Sequence, residues 1–283
     1  MRGRPIAIVA GKGRLPELLA DTLTRAGRKV ILVLYSGYQT RWGQEYQRIE
    51  APFERPGIMF DALRDADCHD IVFAGSMVRP RLNPLKFDLK MLAISVRLLG
   101  ALKGGDNAGF NVIRDMFEAE GLTIHGAHEF LEHLLVPSGT LTKAAPSRDD
   151  FADIARAKEI TRHLGHADVG QGAVVGQGLC LGLESIQGTD AMLRFVAQNT
   201  ANYRPDSEGG QGVLLKAPKQ GQDWRIDLPA IGPDTVKEAA NAGLAGVAVQ
   251  AGGVLMLGVE ETIAAADAAG LFIHAFDPGT SPK

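Results

Sequence analysis

Apolar residues in this chain fall into short runs separated by segments with helical spacing. "PIAIVA" (5–10), "KVILVLY" (29–35) and "DIVFAGSM" (70–77) are short and rich in β-branched residues, as buried strands are. Between the first two, Leu15, Leu18, Leu19 and Leu23 recur at helix spacing, Pro16 suits a first turn, and Gly27 can end the helix. "GIMFDALRDADC" (57–68) reads as a second helix. Strand, helix, strand, helix, strand predicts a parallel sheet with right-handed crossovers. Two more helices are predicted over 86–105 and 107–121, and a short closing strand over 122–128.

The pattern changes at "LVPSGTLTKAAPSRDD" (135–150), where prolines, serines and threonines interrupt the apolar periodicity. We therefore divide the chain into 1–136 and 137–283. The second part is predicted to contain a helix over 149–165 and two strands over 172–185 that turn at Gly176-Gln177-Gly178. A polar loop (199–212) and a strand (212–219) follow. Residues 235–276 read as helix, strand, strand, helix, strand. Both parts are α/β: a Rossmann-like N-terminal domain with a parallel sheet, and a C-terminal domain with a mixed sheet and helices.

A length of 283 residues suits two cores. Lys plus Arg is 30 and Asp plus Glu is 33, a net charge of −3, which argues against a surface built for nucleic acid. Cys68 and Cys180 lie far apart in apolar settings without metal-ligand spacing, so both are expected to be buried thiols. No apolar run approaches the roughly 18 residues that cross a bilayer. "MRGRPIAIVAGKG" lacks the cleavage site of a signal peptide, so a cytoplasmic location is expected. The helix "KFDLKMLAISVRLLGALK" (86–103) has two readings, a membrane-surface helix or a core helix with solvated Lys90, Arg97 and Lys103; the core reading is favoured.

Six stretches carry candidate chemistry. Gly11 and Gly13 after the first strand let backbone approach a phosphate, although Pro16 stands where a dinucleotide fingerprint needs its third glycine. A tight turn explains them equally well. "AGSMVRP" (74–80) occupies the same kind of position, with Arg79 either meeting a phosphate or facing solvent. In "KGGDNAGFNVIR" (103–114), Asp106 is expected to cap a helix or to face a ligand. His125 and His128 lack zinc-motif spacing, so a structural role is favoured for them. "LGLESIQGTDAMLR" (181–194) places Glu184, Gln187, Thr189, Asp190 and Arg194 together; a helix cap accounts for Thr189 and Asp190 only. "KAPKQGQDWRIDLPAIGPDT" (216–235) mixes Lys216, Lys219, Asp223, Arg225, Asp227 and Asp234. Carboxylates beside lysines on a stiff loop suit a hard cation with a polyanion, and a solvated charged loop is the other reading.

"ESIQGTDAMLR", "GVLLKAPKQGQDWRIDLPAIGPDTV" and "AGLAGVAVQAG" resemble the LpxI family of UDP-2,3-diacylglucosamine pyrophosphatases in lipid A biosynthesis. "IVAGKGRLPELLA", "FAGSMVRP" and "GAHE" extend the resemblance into the first half. It implies Mg²⁺-dependent hydrolysis of UDP-2,3-diacylglucosamine to 2,3-diacylglucosamine 1-phosphate and UMP. It also implies peripheral association with the cytoplasmic face of a Gram-negative inner membrane, and a homodimer is among the partners considered. Asp227, Asp190 and Glu184 become the expected catalytic residues, with Asp227 and Asp190 on the metal. The expected substrate contacts are Gly11, Lys12, Gly13, Gly75, Ser76 and Arg79 from the first half. Asp106, Gln171, Thr189, Arg194 and Lys216 complete that set. The family's first loop usually reads Gly-Gly-Gly, and Lys12 replaces the middle glycine here, so Lys12 either contacts phosphate or points to solvent. Asn107 stands where the family often has a second aspartate, and no metal role is assigned to it. Two rival readings are a nucleotide or nucleotide-sugar sensor without turnover and a nicotinamide-dependent oxidoreductase.

Overall fold

The computed structural model describes residues 3–78, 80–101, 106–206 and 208–279. The chain forms two compact units, and each is α/β. The first holds Met1–Glu132 together with Asp223–Asp227, and the second holds His133–Gln222 with Leu228–Lys283.

The first unit runs β1 (Ile6–Ala10), α1 (Leu15–Arg25), β2 (Val30–Tyr35), β3 (Gln47–Ala51), α2 (Pro56–Asp65) and β4 (Asp70–Ala74). It continues with α3 (Leu89–Ala101), α4 (Asp106–Ala119), β5 (Thr123–His125) and a single turn, α5 (Ala127–Phe130). Its five strands are all parallel in the order β3-β2-β1-β4-β5. Every residue of β1 and β2 is buried, as central parallel strands covered on both faces require. The edge strand β3, "QRIEA", buries only Ile49 and Ala51, and its polar letters hid it from the sequence pattern. Phe117 of α4 is fully buried and meets Phe60 and Phe73 edge-to-face, each at 5.1 Å between ring centres. The closing strand is shorter than predicted. Gly126 ends it, and Glu129 accepts the Gly126 N–H at 2.7 Å to start α5.

The core reading of the helix predicted over 86–103 is corrected. Met91 and Leu98 pack with Val112 of α4, but the opposite face is exposed and apolar, with Leu89 at 85% and Val96 at 83% exposure. Apolar residues occupy both faces of this helix, so spacing alone does not say which face is covered.

The second unit runs β6 (Gly139–Thr140), α6 (Arg148–His166), β7 (Gly172–Gly176), β8 (Leu179–Leu183), α7 (Thr189–Tyr203) and β9 (Val213–Lys216). After these come β10 (Ala230–Ile231), α8 (Pro233–Asn241), β11 (Gly246–Gln250), β12 (Leu255–Met256), α9 (Val259–Ala269) and β13 (Phe272–Phe276). Six strands form a mixed sheet in the order β6-β13-β11-β9-β7-β8, and β10 pairs with β12 in a separate parallel ribbon. The β7–β8 hairpin turns at Gln177 and Gly178, with φ of 53° and 76°, a left-handed pair that matches the twist of the strands. Ser147 caps α6 by accepting the Asp150 N–H at 3.2 Å. Cys180 corrects the second cysteine expectation. It sits exposed on β8, which lies at the edge of the sheet, whereas Cys68 is buried.

Candidate functional site

Three neighbourhoods carry the residues singled out by the sequence. The first is where the loops after β1 and β4 cross. Gly11 N–H donates to Ala74 O at 2.8 Å, Lys12 N–H to Ser76 O at 2.8 Å, and Ser76 N–H to Lys12 O at 3.0 Å. A Cβ on Gly11 would lie 2.6 Å from Ser76 O, and one on Gly75 would lie 2.5 Å from Lys12 O. These glycines are therefore required by the approach of one loop to the other. The amides of Gly11, Lys12 and Ser76 are committed within the protein. Gly13 (φ 97°) lies two residues before α1, and Lys12 is exposed. Arg79 lies outside the described residues. Asp106 is the first residue of α4.

The second neighbourhood is the returned segment Asp223–Asp227, which belongs to the first unit. Arg225 binds Asp223 in a fork, Nε to Oδ1 at 2.9 Å and Nη2 to Oδ2 at 2.7 Å, and reaches Glu118 at 3.1 Å. Arg114 adds a contact to Asp223 at 3.4 Å. The Arg225 hydrogen bond outweighs partial burial and holds the Asp223 carboxyl down at about 2, while the same pairing pushes the Arg225 guanidinium up. Ile226 packs on the first unit's core, and Trp224 meets His128 edge-on at 6.1 Å. Asp227 ends this segment, its N–H bonded to Asp223 O at 3.2 Å. Sequence reading missed Arg114 and Glu118, which stand over 100 positions away and carry no local signal.

The third neighbourhood is the corner between β8 and α7. Glu184 is 7% exposed; one carboxylate oxygen accepts Thr189 Oγ1 at 3.0 Å. The other, Oε2, is buried with no hydrogen-bond partner among the described residues. Gly172 makes room for it, since a Cβ there would lie 2.4 Å from Oε2, and a Cβ on Gly170 would run into the Glu184 backbone carbonyl. Thr189 thus donates to Glu184, a role that a simple helix cap does not describe. Asp190 is exposed in the first turn of α7, where it complements the helix dipole. Arg194 is exposed, 3.9 Å from Glu238. Lys216, at the end of β9, is buried and donates to Ala230 O at 3.1 Å. Gln171 accepts the Ala217 N–H on its backbone, and its side-chain oxygen is buried without a partner among the described residues. Nearby, Lys219 and Asp168 form a buried ion pair at 2.7 Å.

The residues expected on the metal are not gathered into one unit. Asp227 groups with the first unit and Asp190 lies in the second. Among the described residues no group of three His, Cys, Asp or Glu side chains forms a cage for an ion. His125 lies between Asp70 at 3.2 Å and Glu129 at 3.1 Å, a structural bridge. Hydrogen bonds from His125 and Arg28 overcome burial and lower the Asp70 carboxyl. Magnesium usually takes one or two carboxylates and shares its remaining positions with substrate phosphates and water. The unpartnered Glu184 oxygen is a donor of that chemical kind.

Fold and site together describe a two-unit α/β protein with a buried, half-satisfied carboxylate at a strand–helix corner. The LpxI N-terminal domain model matches residues 5–134 and the LpxI C-terminal domain model matches 137–274. The chain belongs to the LpxI family. It is 40% identical over 279 residues to the UDP-2,3-diacylglucosamine pyrophosphatase LpxI of Caulobacter vibrioides, covering 99% of this chain and all of that protein. Among the described residues no helix is long and apolar enough to cross a membrane.

Proposed function

We propose that this chain hydrolyses UDP-2,3-diacylglucosamine to 2,3-diacylglucosamine 1-phosphate and UMP in lipid A biosynthesis, with Mg²⁺ as cofactor. The observation that carries the reading is the end-to-end 40% identity to a protein named for that activity. In the reaction, a water oxygen bonds to the phosphorus nearer the sugar as the bridging P–O bond breaks. UMP leaves with the bridging oxygen, and the water's protons pass to a carboxylate and to solvent. Magnesium, when bound, neutralises diphosphate charge and stabilises the leaving phosphate.

The carboxylates proposed for the ion and the water are Asp227, Asp190 and Glu184. Lys216 and Arg194 are proposed to offset phosphate charge, and Thr189 to orient Glu184. Lys12, Arg79, Asp106 and Gln171, with the glycine-flanked turn at Ser76, remain proposed substrate contacts. Acylated substrate fits a protein that works peripherally on the cytoplasmic face of the inner membrane, and a homodimer is part of the same reading. The test is Asp227→Ala. It should bind substrate yet lower turnover on the order of 100- to 1,000-fold. A variant that keeps most of the wild-type turnover removes Asp227 from the mechanism.

A further inference from the structure

We infer that the exposed face of α3 is the surface that docks this chain onto an anionic lipid bilayer. The inference rests on the reading above that the substrate carries acyl chains. Leu89, Leu92, Val96 and Leu99 follow one another at three- and four-residue spacing and are 85%, 52%, 83% and 49% exposed. Leu85, in the turn that precedes the helix, is 95% exposed. A contiguous apolar stripe of this kind on a soluble unit marks a contact surface. The opposite face is fixed: Met91 and Leu98 pack on Val112. The stripe therefore lies on the face of α3 turned away from that cluster.

The charges point to the partner. From Met77 to Ala101 the sequence has five basic residues, Arg79, Arg81, Lys86, Lys90 and Arg97, and one acid, Asp88. Asp88 is turned inward, accepting the N–H of Gly57 at 2.7 Å and of Met91 at 2.8 Å. Lys90 is paired with Glu120, and Arg97 with Asp115 at 2.9 Å. Arg81 and Lys86, in the same segment of chain as Leu85, are exposed. Apolar side chains flanked by exposed cations are the composition that enters a headgroup layer bearing negative charge. A protein partner would be expected to answer the arginines with specific polar contacts along the stripe, yet its outward positions are aliphatic.

The test uses the full chain and sedimented vesicles of phosphatidylglycerol with phosphatidylethanolamine, against vesicles of phosphatidylcholine alone. The wild type should pellet with the anionic vesicles and weakly with the neutral ones. The double variant Leu89→Glu/Val96→Glu should lower the bound-to-free ratio about tenfold or more. It should keep its melting temperature and its hydrolysis of detergent-dispersed substrate, because both positions are exposed and neither is in the proposed site. Unchanged vesicle binding by the double variant overturns the inference. So does a wild type that hydrolyses dispersed substrate but ignores vesicles, or a wild-type dimer in light scattering that the double variant splits. Vesicle binding without hydrolysis supports the surface and fails the substrate reading instead.

Discussion

Glu184 and Thr189 share one hydrogen bond, Thr189 Oγ1 to a carboxylate oxygen at 3.0 Å, and the second oxygen is buried with no partner among the described residues. A buried carboxylate oxygen without a donor is costly to keep unless something else satisfies it. Substrate-borne magnesium or a substrate hydroxyl would do so. Glu184→Gln places an amide where the unpartnered oxygen now sits. We expect turnover to fall about tenfold or more, and the magnesium concentration for half-maximal rate to rise. Thr189→Val should cause a smaller loss in the same direction. Steady-state kinetics over a magnesium series, with melting curves as a control, check both.

The loop crossing makes a separate prediction about stability. Gly75 has φ of 86°, and a Cβ there would meet Lys12 O at 2.5 Å and Pro16 Cγ at 2.9 Å. Gly75→Ala should destabilise the chain by about 2–3 kcal/mol, combining backbone strain with overpacking. Gly13 has φ of 97° but nothing within 4 Å of its Cβ position. Gly13→Ala should lose only about 1 kcal/mol. Denaturant titration of the two variants distinguishes them; equal losses would mean the close approach between the loops does not matter.

Asp223 should give the acid limb of the stability curve a measurable part. Its folded carboxyl is held at about 2, below its unfolded value, by the Arg225 fork. The pairing therefore contributes stability above about pH 4, and that contribution is lost as pH falls toward 2. Arg225→Met should destabilise by about 1 kcal/mol at pH 7, after allowing for solvent screening of the partly exposed guanidinium. The difference from wild type should narrow as pH falls toward about 2 and close below it. A difference independent of pH would assign the loss to packing alone.

The two thiols should differ in access. Cys180 is exposed on β8, whereas Cys68 is buried and its thiol is pushed up to about 11 by burial. A thiol reagent should label Cys180 first, and Cys68 only as the chain unfolds. Mass spectrometry of peptides after timed labelling checks the order.

Most of the fold was legible because its strands are short apolar runs and its helices bury one stripe. What escaped did so for physical reasons. β3 is an edge strand that buries only Ile49 and Ala51 of five residues. β6, β10 and β12 span two residues each, too short for any pattern. The exposed side of α3 was hidden because hydrophobicity marks what can be buried, and packing decides what is. At the candidate site, Glu184 and Thr189 were visible as an excess of polar groups after an apolar strand. The room they need, given by Gly170 and Gly172, was not. The segment Asp223–Asp227 sits in the second half of the sequence, and its contacts with Arg114, Glu118, His128 and the first unit's core place it in the first unit.

The most direct test is product analysis by mass spectrometry with the purified full chain and UDP-2,3-diacylglucosamine. With magnesium the account predicts UMP and 2,3-diacylglucosamine 1-phosphate in equal amounts, no products with EDTA, and recovery when magnesium is restored. In ¹⁸O-labelled water the label should enter the sugar phosphate. Release of UDP, label in UMP, or full turnover in EDTA would contradict it.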